Sequence, residues 1–154
     1  MTAVRVRRMR PGEEAAVIDL VARVFNETVA PHYSEEGVLE FFKYAAAEPL
    51  AARSQSDHFT LVAEQDGDLV GMIEMRRFEH VAMLFVEPRG RGVGKALLDE
   101  ALAVCRVERS DLSVMTVHSS PNAVPAYERL GFLATDSERE LNGIRFVPMA
   151  LELG

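Results

Sequence analysis

The chain has 154 residues, 48% of them hydrophobic and 27% charged, which excludes a disordered or fibrous protein and predicts a single domain over residues 1–154. Seventeen Lys and Arg against 24 Asp and Glu give a net charge of -7, which disfavours nucleic acid and anionic membranes as partners. A single cysteine and a longest apolar run of six residues exclude an intrachain disulfide and a membrane span and, without an export signal, predict a cytoplasmic protein.

The first half of the chain alternates between two hydrophobic periods. A period of two indicates strands, whereas apolar residues three and four apart indicate amphipathic helices. Ser34 suits the N-cap of a second helix, and Asp66-Gly67 suits a hairpin turn. The predicted elements are a strand at 4–7, helices at 11–25 and 34–45, and strands at 59–63, 69–76 and 79–86.

The second half begins with a helix that has a broad apolar side. Pro121 is expected as the first residue of a later helix that Gly131 ends, and Asn142-Gly143 suits a second hairpin turn. The predicted elements are a helix at 92–107, a strand at 112–117, a helix at 121–130, and strands at 132–141 and 144–151. Strands that alternate with helices in this way predict an α/β fold with a mixed sheet.

The most informative segment is the glycine-rich turn at 86–95, which reads Val-Glu-Pro-Arg-Gly-Arg-Gly-Val-Gly-Lys. It lies between a buried strand and the N-terminus of a helix. Glycines let several backbone amides approach one centre, and the helix dipole adds positive charge to that of Arg89, Arg91 and Lys95. The segment therefore predicts a site for a phosphate or pyrophosphate. A glycine turn with solvated arginines and no ligand is the alternative.

Two nucleotide-binding motifs do not fit this turn. A P-loop reads GxxxxGK followed by Ser or Thr, whereas here three residues separate Gly90 from Gly94 and Ala96 follows the lysine. The dinucleotide fingerprint GxGxxG fails because Lys95 stands where its third glycine belongs. A nucleotide hydrolase and a dinucleotide-dependent enzyme are therefore disfavoured.

Two motifs, in this order, resemble those of the GCN5-related N-acetyltransferase (GNAT) family. Arg89, Gly92 and Gly94 match its loop for the pyrophosphate of acetyl-CoA, in which Gln or Arg is followed by two residues, Gly, one residue, and Gly or Ala. The second motif is similar at Ala123, Tyr127, Gly131 and Phe132. The resemblance covers nearly the whole chain. It implies a splayed central sheet flanked by helices, in the order β-α-α-β-β-β-α-β-α-β-β.

The resemblance also implies that acetyl-CoA is the cosubstrate. Its pantetheine arm is expected to pair with the strand at 84–86 like an added strand, and its pyrophosphate to lie on residues 89–95. Ser120 stands where the family often has asparagine, and Asn122 follows two residues later. The implied binding residues are Leu84, Phe85, Val86, Arg89, Gly90, Arg91, Gly92, Val93, Gly94, Lys95, Ser120 and Asn122.

Catalysis requires a group that protonates the departing thiolate and a base that takes a proton from the amine. Tyr127 matches the general acid of the family, with a purely packing role as the alternative. The base is left open between Glu79 and His80, because one β-bulge would exchange the side chain that faces the site, and a solvated strand end is the alternative for both. Glu74 is a third candidate, whereas His118 is expected to be a hydrogen-bonded residue at a strand end.

The expected reaction is direct transfer of the acetyl group to a primary amine. Cys105 lies on the apolar side of its helix, which disfavours a thiol relay, and the scattered histidines form no recognisable metal site. The negative net charge favours a small cationic acceptor. The resemblance further implies a possible homodimer formed by the last strands. A non-catalytic acyl-CoA-binding module that acts as a sensor or partner subunit is the alternative function.

Overall fold

The computed structural model describes residues 3–87 and 92–154, so the predicted pyrophosphate residues Arg89, Gly90 and Arg91 lie outside the described residues. The helices are α1 (Glu14–Thr28), α2 (Glu35–Tyr44), α3 (Ala47–Ser54), α4 (Val93–Glu108) and α5 (Val124–Arg129). The strands are β1 (Arg5–Arg8), β2 (His58–Gln65), β3 (Asp68–Arg76), β4 (His80–Val86), β5 (Val114–Ser119), β6 (Leu133–Ala134), β7 (Arg139–Leu141) and β8 (Ile144–Glu152).

The strands form one mixed sheet in the order β1-β2-β3-β4-β5-β8-β6, with β7 paired to β8. β4 and β5 run parallel, and the other described pairs are antiparallel. The predicted α/β fold, with a mixed central sheet flanked by helices, is confirmed. Since a parallel pair needs a crossover connection, α4 carries the chain from the end of β4 to the start of β5.

Helices cover both faces of the sheet. On one face, Leu97 and Ala101 of α4 pack in a core that includes Ile73 of β3. On the other face, Leu20 of α1 packs in a second core that includes Met72 of the same strand. Burial on both faces explains why the central strands are almost continuously apolar in sequence.

Local signals in the sequence correspond to local structure at several boundaries. The Ser34 hydroxyl accepts a hydrogen bond from the Gly37 amide at 3.1 Å, which confirms the predicted N-cap of α2. Both predicted hairpin turns, Asp66-Gly67 and Asn142-Gly143, have left-handed backbones, as does Gly131 after α5. These short motifs therefore fix where the elements begin and end.

Several predicted boundaries differ from the structure. Pro121 begins a 3₁₀ turn at Pro121–Ala123, so the helix expected at 121–130 starts only at Val124. The strand expected at 112–117 lies at Val114–Ser119. Helix α1 begins at Glu14 rather than residue 11, because Gly12 has a φ of 97° that no right-handed helix accepts. Helix α3 was not predicted: only Leu50 is buried in it, so its hydrophobic period is weak. The strand expected at 132–141 is divided into β6 and β7, and the chain bends between them at Asp136, whose carboxylate accepts a hydrogen bond from the Ser137 amide at 2.8 Å.

Candidate active site

The site begins where β4 and β5 separate. Among the described residues, only two residue pairs join these strands: His80 with Thr116 and Val81 with Val117. Beyond them, β4 continues to Val86 without a partner on its β5 side. Backbone groups in this stretch are therefore free to pair with an extended ligand.

A β-bulge at Ala82 marks the start of the separation. Glu74 of β3 is opposite Met83, and the next residue of β3 is opposite Val81, so Ala82 has no partner on β3. The bulge reverses the alternation of side chains along β4. Val81 packs in the α4-side core, whereas Met83 packs in the α1-side core. His80 consequently lies on the same face as Met83.

The separation opens a cleft of about 1270 Å³. Drug-sized ligand pockets usually occupy about 300–1,000 Å³, so this cleft has room for two reactants. One part, here called the donor half, is lined by residues from β4, the start of α4 and α5. The other part, here called the acceptor half, is lined by residues from α1, α2, the end of β3 and the β7–β8 hairpin.

The donor half combines a free strand edge with a helix N-terminus. Gly92 precedes α4 with a φ of 74°, a left-handed conformation that favours glycine. The first amides of α4 are therefore presented to the cleft with the positive end of the helix dipole, which suits an anionic group. This arrangement fits the pyrophosphate and pantetheine arm of CoA.

The predicted donor residues fall into three groups by their placement. Val93 is 1% exposed, packs in the α4-side core and is not part of the cleft wall. The Lys95 ammonium forms an ion pair with Asp99 at 2.6 Å, and the Asn122 amide donates to the Thr28 carbonyl at 2.8 Å. The residues that line the cleft are Leu84, Phe85, Val86, Gly92, Gly94, Lys95, Ser120 and Asn122.

Tyr127 lies in the wall of the cleft and is 9% exposed. Its ring packs edge-on against Phe132 with centroids 5.5 Å apart. Burial raises the pKa of the Tyr127 hydroxyl, which stays protonated at neutral pH. No described residue hydrogen-bonds that hydroxyl, so its proton is available to a group in the cleft.

The two base candidates lie in different surroundings. The Glu79 carboxylate is paired with Arg109 and is not part of the cleft wall. His80 lines the cleft, is 8% exposed, and its Nδ1 lies 2.8 Å from the Thr116 hydroxyl. Burial lowers the pKa of His80 to about 4, and the charge of Arg76 contributes to this shift. His80 is therefore a neutral imidazole at physiological pH, with Nε2 unpartnered among the described residues.

His118 joins this group from the neighbouring strand, and its side chain lacks the expected hydrogen bond to any described residue. Its ring centroid is 4.8 Å from that of His80 and 4.5 Å from that of Phe146, which stacks on it. Burial lowers the pKa of His118 as well, so the two imidazoles meet uncharged. The sequence contained no signal for this contact, because it depends on the parallel pairing of β4 with β5.

Glu74 is a buried hydrogen-bond partner of a residue in the wall of the acceptor half. It is fully buried, accepts a bond from Arg53 Nε at 2.8 Å, and accepts another from the Tyr44 hydroxyl at 3.1 Å. The Arg53 guanidinium also lies over the Tyr44 ring, 3.5 Å from its centroid. Because the Glu74 carboxylate is already matched by these donors, it holds Tyr44 in the wall of the cleft.

Two glycines set the width of the acceptor half. A Cβ at Gly37 of α2 would overlap the backbone of Gly143, and a Cβ at Gly143 would overlap the backbone of Gly37. The start of α2 therefore packs backbone to backbone against the β7–β8 turn. This contact fixes the distance between two walls of the cleft.

The described residues also bear on metal binding and on membrane insertion. Among residues 3–87 and 92–154, no cluster of three or more His, Cys, Asp or Glu side chains is placed to hold a metal ion. Within the same ranges, no helix combines the length and the apolar character of a membrane span. Cys105 is buried, and burial raises the pKa of its thiol to about 11.

A mixed sheet that parts between two parallel strands, with a helix N-terminus facing the gap, is the architecture that the resemblance to N-acetyltransferases implies. Comparison with known proteins gives the same class. Residues 29–153 match the profile of the acetyltransferase (GNAT) domain, and the chain belongs to the GNAT family. The predicted family, enzyme class and acetyl-CoA cosubstrate are thereby confirmed.

Individual relatives agree over nearly the whole chain. The uncharacterized N-acetyltransferase YafP of Escherichia coli (strain K12) is 30% identical over 144 residues, 90% of this chain and 87% of that protein. A GCN5-related N-acetyltransferase from Rhodopseudomonas palustris has a TM-score of 0.84 at 25% identity and covers 99% of this chain and 98% of its own. PaiA N-acetyltransferase from Thermoplasma acidophilum, solved with coenzyme A, has a TM-score of 0.79 at 24% identity over 98% and 99% of the two chains, and shows the shared fold.

Proposed function

We propose that this chain transfers the acetyl group of acetyl-CoA directly to a primary amine held in the acceptor half. The observation that carries the proposal is the meeting of His80 and Tyr127 in one cleft, at the gap between β4 and β5. One residue is a neutral base and the other a protonated acid at neutral pH. The raised thiol pKa of Cys105, and its burial, favour direct transfer over a thiol relay.

Acetyl-CoA supplies an acetyl thioester whose sulfur is the leaving group. The free edge of β4 and the first turn of α4 hold it, with Ser120 and Asn122 on the α5 side. Residues 89–91 complete the glycine-rich turn in sequence and add two arginines for the pyrophosphate. The unpaired backbone amides of β4 beyond the bulge supply donors for the acetyl oxygen.

Two residues move the protons of the reaction. His80 takes a proton from the nitrogen as its bond to the acetyl carbon forms, through Nε2, because Nδ1 is engaged with Thr116. Tyr127 gives a proton to the sulfur as the carbon–sulfur bond breaks. An amine that arrives as an ammonium ion loses two protons in all. One of them reprotonates Tyr127 after it has protonated the sulfur, and the other is released to water.

The test measures thiol release from acetyl-CoA in the presence of neutral, cationic and zwitterionic primary amines. We expect release with at least one amine, reduced about 100-fold in His80→Gln because general base catalysis is lost. His32→Gln is the matched control, since His32 is exposed and is not part of the cleft wall. Protection of the protein from melting by acetyl-CoA, with no thiol release from any amine, would instead identify a non-catalytic binding module.

A further inference from the structure

Arg76 occupies the last position of β3, beside the proposed base. In the sheet register it is opposite His80 of β4 and His58 of β2. Side chains at such cross-strand positions share a face, with Cβ atoms about 5 Å apart. Arg76 is exposed and lines the acceptor half. Its charge reaches both imidazoles, since it contributes to the lowered pKa of His80 and of His118.

The guanidinium of Arg76 has no hydrogen bond or ion pair with any described residue. The same holds for Arg129, which lines the donor half from α5, so Arg76 is the unpaired cation on the acceptor side of the described cleft wall. Within the cleft wall, the carboxylate of Glu40 is 3.6 Å from Lys43, and that of Glu87 is 2.9 Å from Arg23. Each of these two acids therefore already has a cation beside it. The residues outside the described ranges, 1–2 and 88–91, contain no Asp or Glu.

The local charge of the acceptor half is thus opposite in sign to that of the whole chain. The net charge of -7 is spread over a surface in contact with salt, where its influence decays within about 10 Å. An unpaired guanidinium inside a cleft acts at contact distance. A polycation would meet repulsion from Arg76 without a free carboxylate to offset it.

The rest of the acceptor half is apolar. Tyr33, Phe41 and Phe146 line it, together with Leu141 and Ile144 of the hairpin. Phe41 and Tyr33 both pack against the buried ring of Phe25, so this wall is a fixed aromatic surface. Aromatic surface of this kind favours a flat or bulky hydrocarbon group.

We propose that the acceptor is an amine that also carries a carboxylate on an apolar, preferably aromatic, body, and that Arg76 binds this carboxylate. The proposal rests on the acetyl transfer proposed above and names its substrate class. A guanidinium pairs with a carboxylate through two parallel hydrogen bonds, which orient as well as attract. Because Arg76 and His80 are cross-strand neighbours, a carboxylate held on one places a nearby amine beside the other.

The experiment compares pairs of acceptors that differ only in the carboxylate: phenylalanine with phenethylamine, and leucine with isoamylamine. Putrescine and spermidine represent the cationic class. For each pair that is acetylated, we expect kcat/KM to be about tenfold or more higher for the amine that carries the carboxylate than for the amine that lacks it. This is the size of one charge-assisted hydrogen-bonded contact. Arg76→Gln should abolish this ratio, and Arg76→Glu should move the preference toward the diamine.

Arg77→Gln is the matched control. Arg77 is the next residue, is exposed, points to Asp57 at 3.4 Å and is not part of the cleft wall, so its removal should leave the ratio unchanged. The substrate class is wrong if the amine without the carboxylate or a polyamine is preferred, or if the ratio survives in Arg76→Gln. Those results leave acetyl transfer itself intact. Absence of thiol release from every amine, despite acetyl-CoA binding, overturns both proposals.

Discussion

The donor and acceptor halves of the cleft differ in the chemical groups that they present to a ligand. The donor half presents backbone: the free edge of β4 and the first turn of α4, entered through the left-handed Gly92. The acceptor half presents side chains, from Arg76 and Tyr44 to the aromatic wall, that come from separate elements. A surface made of backbone serves one invariant ligand, whereas a surface made of side chains can be changed residue by residue. The chain therefore keeps its donor and sets its acceptor independently.

Tyr127→Phe tests the junction of the two halves and carries the largest expected effect. Removing the hydroxyl should lower kcat by about 100-fold or more, since the proton for the sulfur is lost. The dissociation constant for acetyl-CoA should change little, because the ring and its packing against Phe132 remain. Steady-state kinetics and calorimetry measure the two quantities. An unchanged kcat would assign Tyr127 a packing role only.

Gly92→Val tests the donor half alone. A β-branched residue at a φ of 74° is strained by about 1–3 kcal/mol and should shift the start of α4. We expect the KM for acetyl-CoA to rise about tenfold for every acceptor alike.

The matched control for Gly92→Val is Gly67→Val, whose φ is 83° in the β2–β3 turn, outside the cleft wall. It should destabilise the protein to a similar extent without changing the KM for acetyl-CoA. Equal kinetic effects of the two variants would show that strain, and not the donor site, is responsible.

A last prediction concerns pH and the buried base, and it acts on stability rather than on turnover. The pKa of His80 is about 4 in the folded protein and about 6.5 in an unfolded chain, so the unfolded state binds more protons between these values. Stability should therefore fall as the pH is lowered from about 6.5 toward 4, and this slope should be shallower in His80→Gln. Urea midpoints at several pH values measure it, with His32→Gln as the control. Identical slopes in both variants would contradict the buried, neutral state of His80.

The sequence carries local signatures of the donor half, because a site made of backbone depends on residues that are close together in the chain. The glycines at 92 and 94, the buried strand before them and the helix after them stand within ten residues of each other. The order of elements and the mixed sheet followed from hydrophobic period and turn residues. The patterns missed short features, among them helix α3, which has one buried residue, and the division of the strand expected at 132–141.

The acceptor half was harder to predict because it depends on register. Counting by twos back from Met83 places Glu79, not His80, on the face of the cleft. The bulge at Ala82 reverses this parity, and nothing in the local sequence marks it. Arg76 has the same difficulty, since its partner His80 is known only once β3 and β4 are aligned.

The contact between Gly37 and Gly143 makes the spacing between two walls of the acceptor half rigid. Side-chain walls can yield by rotating a torsion, but here two main chains touch, and only a movement of α2 as a body would part them. We expect a single methyl group added at Gly37 to act as a spacer that enlarges the opening beside Leu141 and admits bulkier amines while the acyl donor is held as before. At Gly143, whose φ is 82°, the same methyl group would also strain the turn.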